Sequence, residues 1–160
     1  MMSLEYTYMD SPVGRLLLAG KGEVLHYLSF PTGKMCFKPE PDWNYHAAAF
    51  RQARHQIDAY FAGQLKQFDV EIAPHGTEFQ MQVLAALQEI PFGQVRSYKD
   101  IAQAIERPKA MRAVGAANGR NPIPLIIPCH RVVGADGSLT GFGGGVATKE
   151  FLLRLEGAIS

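Results

Sequence analysis

From residue 5 to residue 28, short apolar or alternating runs are separated by turn formers. Glu5-Tyr6-Thr7-Tyr8 alternates, and residues 15–19 form an apolar block after the turn-forming Asp10-Ser11-Pro12-Val13-Gly14. Residues 24–28 alternate again after Lys21-Gly22. This punctuation predicts three strands in an antiparallel meander. The period then lengthens. Phe50, Ala53, Ile57 and Tyr60 or Phe61 mark one face of a helix over 46–61 that ends at Gly63. Residues 68–72 alternate once more and predict a further strand.

The second half of the chain is patterned for helices. Thr77 and Gln80 have the spacing of a capping box, and Phe79, Val83, Leu84, Leu87 and Ile90 follow before Pro91-Phe92-Gly93 stops the helix. Ser97 caps a second helix over 98–105. A turn at Glu106-Arg107-Pro108 leads to a third over 109–118, with Pro108 suited to its start and Gly119 to its end. Two short helices joined by a tight turn read as helix-turn-helix. Residues 149–156 form a last helix. The fold class is therefore α+β: a small N-terminal antiparallel sheet plus helix over 1–73, a linker at 74–76, and a mainly helical unit over 77–160 with a winged-helix-like helix-turn-helix.

On the third helix, Arg112, Gly115, Ala116 and Gly119 share one stripe, and only Arg112 is large. Base reading calls for Asn, Gln and Arg along such a stripe. Small residues instead let a helix backbone press against a groove wall, or equally against another helix.

The chemistry concentrates near the C-terminus. Pro122, Pro124 and Pro128 forbid a helix and force an extended, kinked path into Cys129-His130-Arg131-Val132-Val133. A thiol becomes a strong nucleophile as thiolate, so a base beside it is significant. In an extended segment Cys129 and His130 would face opposite ways; contact requires a sharp bend or a bridging water. A core cysteine beside a surface histidine is the plain alternative. Gly141-Phe142-Gly143-Gly144-Gly145 allows close backbone approach. Glu156 shares a stripe with Leu152 and Leu153, either as a fraying helix end or as a buried partner for a histidine.

Composition narrows the class. At 47% hydrophobic and 19% charged the chain is globular. The start lacks a basic segment followed by an apolar run, and no apolar stretch reaches membrane length. Two distant cysteines suit a reducing compartment, so a cytoplasmic protein off membranes is expected. Cys36 stands alone, with His26, His46, His55 and His75 scattered, so no metal site and no cofactor is expected. Net charge is +1, but residues 1–80 carry seven Lys/Arg against nine Asp/Glu, and residues 81–160 nine against six. Arg96, Lys99, Arg107, Lys109, Arg112, Arg120 and Arg131 face only Asp100 and Glu106 in the stretch 96–131. Such a stretch fits a polyanion-facing surface or an ordinary solvated face.

Asn121-Pro122, then Pro128-Cys129-His130-Arg131-Val132-Val133, the Gly-rich loop, Tyr98, Arg112 and Glu156 together resemble the O6-alkylguanine-DNA alkyltransferase family. The resemblance is strong over about the last 80 residues and weak over the first 75. It implies repair by irreversible, single-turnover transfer of an alkyl group from O6-alkylguanine, and from O4-alkylthymine, to Cys129. The nucleotide is flipped out of the duplex first. By resemblance, Glu156 orients His130, which deprotonates Cys129 through a water, and Asn121 braces the turn. Tyr98 helps rotate the phosphodiester and donates a hydrogen bond to guanine, and Arg112 fills the vacated stack. The DNA-facing set so implied is Tyr98, Arg112, Ala113, Gly115, Ala116 and Arg120. The pocket set is Pro124, Asn118, Val132, Phe142, Gly143 and Gly144. The partner is double-stranded DNA bearing alkylated bases, met by a protein monomeric off DNA.

Two departures from the family pattern touch substrate range. Phe142-Gly143 stands where members often carry Tyr and then Ser or another small residue, and Asn118 occupies a wall position that is apolar in some members. Three rival readings are weaker. A non-catalytic lesion binder lacks the cysteine, a cysteine hydrolase keeps its partners far apart in sequence, and a base-reading regulator would not carry a Gly/Ala stripe.

Overall fold

The computed structural model describes residues 3–33, 35–139, 142 and 144–160. Strands β1 (Glu5–Met9), β2 (Leu16–Lys21) and β3 (Val24–Ser29) form the expected antiparallel meander. A two-residue strand, β4 (Asn44–Tyr45), adds to the free edge of β1 in parallel, so the sheet is mixed, in the order β3-β2-β1-β4. This pairing also delays the helix. Asn44 and His46 donate to Leu4 and Tyr6 of the β1 edge at 2.8 and 2.9 Å, so the chain must turn before it can coil. Phe50 does so at φ 57, and α1 runs Arg51–Phe61 instead of starting at 46.

The strand expected at 68–72 is reduced to one bridge, Ile72 to Leu25. The outer edge of β3 has no room for more, because Leu28 N–H is taken by Pro122 O at 2.9 Å. Asp69 instead satisfies its backbone on the Gln56 side chain, at 2.7 and 3.0 Å.

Helix α2 (Glu78–Leu87) opens on the full capping box between Thr77 and Gln80. Arg96–Ser97 forms β5, and Ser97 and Asp100 make a second capping box that starts α3 (Tyr98–Ala104). Helix α4 (Met111–Gly119) begins two residues later than expected and ends on Gly119 rather than before it. It packs against both α2 and α3. Strand β6 (Val132–Val133) pairs in parallel with β5, Arg96 to Val132 and Ser97 to Val133. This ladder ties the start of the helix-turn-helix to the segment just after Cys129. Helix α5 (Val146–Leu155) starts three residues earlier than expected.

One apolar core runs through both halves: Leu16, Phe30, Ile57 and Tyr60 pack with Val83, Leu87, Ile123, Val132 and Leu152. No helix among the described residues is long and apolar enough to cross a membrane.

Candidate active site

The bend that Cys129 and His130 require is made by the backbone. Pro128 sits at φ −79, ψ 63, and Cys129 N–H donates to Ile127 O at 2.7 Å, which is an inverse γ-turn. A single 3-10 turn, Cys129–Arg131, follows at once. Asn121 braces this path from inside: its Nδ2 donates to Ile127 O at 2.8 Å, and its Oδ1 accepts from Ile123 N–H at 2.9 Å. Between those two contacts Leu125, buried, holds φ 76, a conformation that costs a non-glycine residue about 1–3 kcal/mol. The flanking prolines and the two Asn121 bonds leave the chain no relaxed alternative.

His130 is wholly buried, and its Nε2 lies 2.8 Å from Glu156 Oε2. A carboxylate can only accept, so Nε2 carries the proton and Nδ1 the lone pair. That Nδ1 is buried and has no hydrogen-bond partner. Glu156 is 5% exposed as the C-cap of α5, a buried partner and not a frayed end. Two further residues converge on it. Arg131 donates from Nε to Oε1 at 2.8 Å and from Nη2 to Oε2 at 3.0 Å, and anchors itself by Nη1 on Ile90 O at 2.7 Å. Tyr60, from α1, donates its hydroxyl to Oε2 at 2.6 Å.

Electrostatics follow from this geometry. Burial pushes the Glu156 carboxyl up, but the hydrogen bonds from His130 and Arg131, with the Arg131 charge, outweigh it and hold the group at about 2. Burial pushes His130 below its ordinary 6.5, against the pull of Glu156, so the imidazole is neutral. Burial raises the Cys129 thiol to about 11, although the Asn121 amide and the Lys149 charge act the other way. At neutral pH Cys129 is thus a thiol, and a base must take its proton. Lys149 is itself buried, brought down to about 8 by that burial, and its Nζ donates to Val132 O at 2.5 Å.

A small cavity opens beside the thiol, lined by Cys129, Asn118, Asn121, Pro124, Phe30 and Met35, with Gly119 and Gly144 closing it. Its volume is about 10 Å³, room for one water and far less than a nucleobase needs. Asn118 Nδ2 donates to Cys129 O at 3.3 Å, while its Oδ1 is buried without a partner. Of the expected pocket residues, Asn118, Pro124 and Gly144 line this cavity. Val132 is instead wholly buried in β6, and Phe142 packs its ring on Phe30 at 5.6 Å. Gly143 and Gly141 lie outside the described residues. Gly144 must be glycine for contact reasons: a Cβ there would meet Phe30 at 2.6 Å and Phe142 at 2.7 Å.

Tyr98 and Arg112 belong to the helix-turn-helix. Tyr98 opens α3 and lies over Gly115, where an added Cβ would be in ordinary contact with its ring at 3.8 Å. On α4, Arg112, Ala113 and Ala116 are exposed, as is Arg120 at its end, while Val114, Ala117 and Asn118 are buried. One helix thus carries an exposed Arg/Ala/Gly face and, by Asn118, a contact to the backbone of Cys129. Arg131, by contrast, belongs to the interior and not to the basic surface stretch. Tyr60, Arg131, Lys149, Phe30 and Met35 complete a site that the sequence pattern leaves partial. Only Arg131 had a local signal, its place beside Cys129-His130. Among the described residues, no cluster of three or more His, Cys, Asp or Glu could hold a metal ion.

This arrangement of a helix-turn-helix beside a buried cysteine and a buried His130–Glu156 pair corresponds to one family in comparison with known proteins. Residues 4–74 match the 6-O-methylguanine DNA methyltransferase ribonuclease-like domain, and residues 78–158 the DNA binding domain of the same name. A methylated-DNA–protein-cysteine methyltransferase of Methanosarcina acetivorans is 54% identical over 96% of this chain and 98% of its own. One from Mycobacterium tuberculosis is 50% identical over 96% of this chain and 92% of its own. The crystal structure of the Mycobacterium tuberculosis OGT in complex with DNA superposes with a TM-score of 0.91 at 49% identity, covering 96% of this chain and 93% of that one. The chain belongs to the 6-O-methylguanine DNA methyltransferase family.

Proposed function

We propose that this protein repairs double-stranded DNA by moving the alkyl group of O6-alkylguanine, and of O4-alkylthymine, onto Cys129, once per molecule. The observation that carries this reading is the buried, unpartnered Nδ1 of His130, one residue along the chain from the buried Cys129, with Nε2–H committed to Glu156. A single water between Sγ and Nδ1 completes the relay. The thiol proton passes to Nδ1, and Glu156 steadies the imidazolium that forms. Sγ then attacks the alkyl carbon in line. The carbon–O6 bond breaks, its electron pair stays with the base, and the base takes up the proton to leave as guanine. The product is a thioether, a poor electrophile with a poor leaving group, so nothing returns Cys129 to its starting state.

The lesion reaches the thiol only after leaving the stack. Arg112, exposed on the small-residue face of α4, fills the gap, and Ala113, Gly115, Ala116 and Arg120 lie along the DNA. Tyr98 helps turn the nucleotide and donates to the guanine ring. The one-water cavity at Cys129 has to widen to admit a base. Residues 1–73 and 77–160 act as two units joined at 74–76. The protein works in the cytoplasm, as a monomer off DNA, with no cofactor. Incubation with duplex containing O6-methylguanine labelled in its methyl group tests the reading: label on the protein supports it, and label released as methanol contradicts it.

A further inference from the structure

Glu156 Oε2 accepts from three donors: Tyr60 Oη at 2.6 Å, His130 Nε2 at 2.8 Å and Arg131 Nη2 at 3.0 Å. Oε1 accepts from Arg131 Nε at 2.8 Å. A carboxylate offers about four lone-pair sites, two on each oxygen, so the three donors on Oε2 compete. The shortest of the three is not part of the C-terminal half. Tyr60 lies 96 residues before Glu156, on α1, with its ring set by Phe61, Phe68 and Phe92. It is 1% exposed, and burial, then the charge of Glu156, pushes its phenol well above the ordinary value, so it stays protonated and can only donate here.

Building on the alkyl-transfer reading, we propose that Tyr60 is a positioning residue for the base: its hydroxyl draws charge from the Glu156 oxygen that holds His130 and so limits how tightly Glu156 holds the imidazole proton. The charged groups acting on His130 are Glu156 at the end of α5, Arg131 in the same 3-10 turn and Lys149 on α5. Arg131 and Lys149 both disfavour an imidazolium, and Glu156 favours it. Tyr60 weakens that one favourable partner. Too strong a carboxylate would let His130 take up a solvent proton at moderate pH, and a protonated His130 cannot accept the thiol proton. The N-terminal unit thereby reaches the His130–Glu156 pair through the Tyr60 hydroxyl.

The experiment compares the parent protein with Tyr60→Phe and with 3-fluorotyrosine at position 60, a stronger donor of nearly the same shape. Two quantities are read. The first is the proton resonance of His130 Nε2–H, which needs no substrate and moves downfield as its hydrogen bond to Glu156 strengthens. The second is the acid limb of the single-turnover rate on duplex containing O6-methylguanine. Tyr60→Phe should move the resonance downfield and the limb to higher pH by about half a unit to one unit. Fluorotyrosine should move both the opposite way. A tyrosine that only packs would lower rates at all pH values and leave resonance and limb in place, and that result overturns the proposal. Displaced resonances in a protein that transfers no methyl group would keep this proposal and overturn the alkyl-transfer reading instead.

Discussion

His130 and Glu156 meet at 2.8 Å in the interior, one from the turn after Pro128 and the other from the cap of the last helix. The contact commits Nε2–H to Glu156 and leaves Nδ1 as the nitrogen with a free lone pair. Replacing Glu156 by Gln keeps the shape and removes the charge. The single-turnover transfer rate should fall by about 10²-fold while DNA binding remains. Arg131 would be left without its counter-charge, and breaking such a buried pair costs about 3–5 kcal/mol, so rates must be read below the lowered melting point. Unchanged rates in folded Glu156→Gln would remove Glu156 from the relay.

The same pair sets a pH dependence of stability. Both groups have folded values below their ordinary ones, Glu156 at about 2 against 4.5 and His130 below 6.5. Above 6.5 neither takes a proton in either state. Below 6.5 the unfolded chain binds a proton on His130 that the folded state refuses, and below 4.5 the same holds for Glu156. Stability should therefore decline as pH falls from 6.5, and more steeply below 4.5. Denaturation midpoints across this window check it. The steeper portion should shrink in Glu156→Gln, and a parent profile flat from neutral pH to 4 would contradict the assignment.

Arg112 is the large side chain on the exposed small-residue face of α4. Arg112→Ala should slow repair in duplex DNA by about tenfold or more, because flipping a paired base costs a few kcal/mol and the gap loses its filler. Reaction with free O6-benzylguanine should change little. Equal slowing of both substrates would assign Arg112 to folding or chemistry.

Gly144 ties the loop before α5 to the N-terminal half, with Thr32 Oγ1 donating to its carbonyl at 3.1 Å. Gly144→Ala forces Phe30 or Phe142 to move and should destabilise by about 1–3 kcal/mol. If the clash is with Phe30, Phe30→Ala should relieve part of it, so the two changes combined should cost less than their sum. Strict additivity in denaturation midpoints would show that the contact is absent.

Cys129 and His130 were legible because their signals are local: prolines that forbid a helix and a thiol beside an imidazole, whereas the bracing role of Asn121 follows from the family resemblance alone. The Ser97 cap, the turn at Glu106-Arg107-Pro108 and Gly119, local signals too, made the helix-turn-helix readable. Glu156 was only half legible, since an apolar stripe is compatible with fraying or with burial, and only the fold supplies His130, Arg131 and Tyr60 around it. Helical periodicity marks Tyr60 as a core position, because it locates a buried ring and says nothing of where its hydroxyl points. Charge alone places Arg131 with the surface cations of 96–131, and only the fold shows it buried. The ladders of β4 and of β5 with β6 are two residues long and carry no periodicity, yet one shifts the start of α1 and the other ties the start of α3 to the segment just after Cys129. Tertiary partners, not local preference, decide such elements.

If Cys129 takes one alkyl group and keeps it, intact mass after incubation with excess duplex bearing O6-methylguanine should show it. The expected result is a gain of a single methyl group per molecule, located at Cys129 by peptide mapping, no gain in Cys129→Ser, and no turnover beyond one equivalent. Repair of several equivalents by one protein, or the methyl group on Cys36, would contradict it.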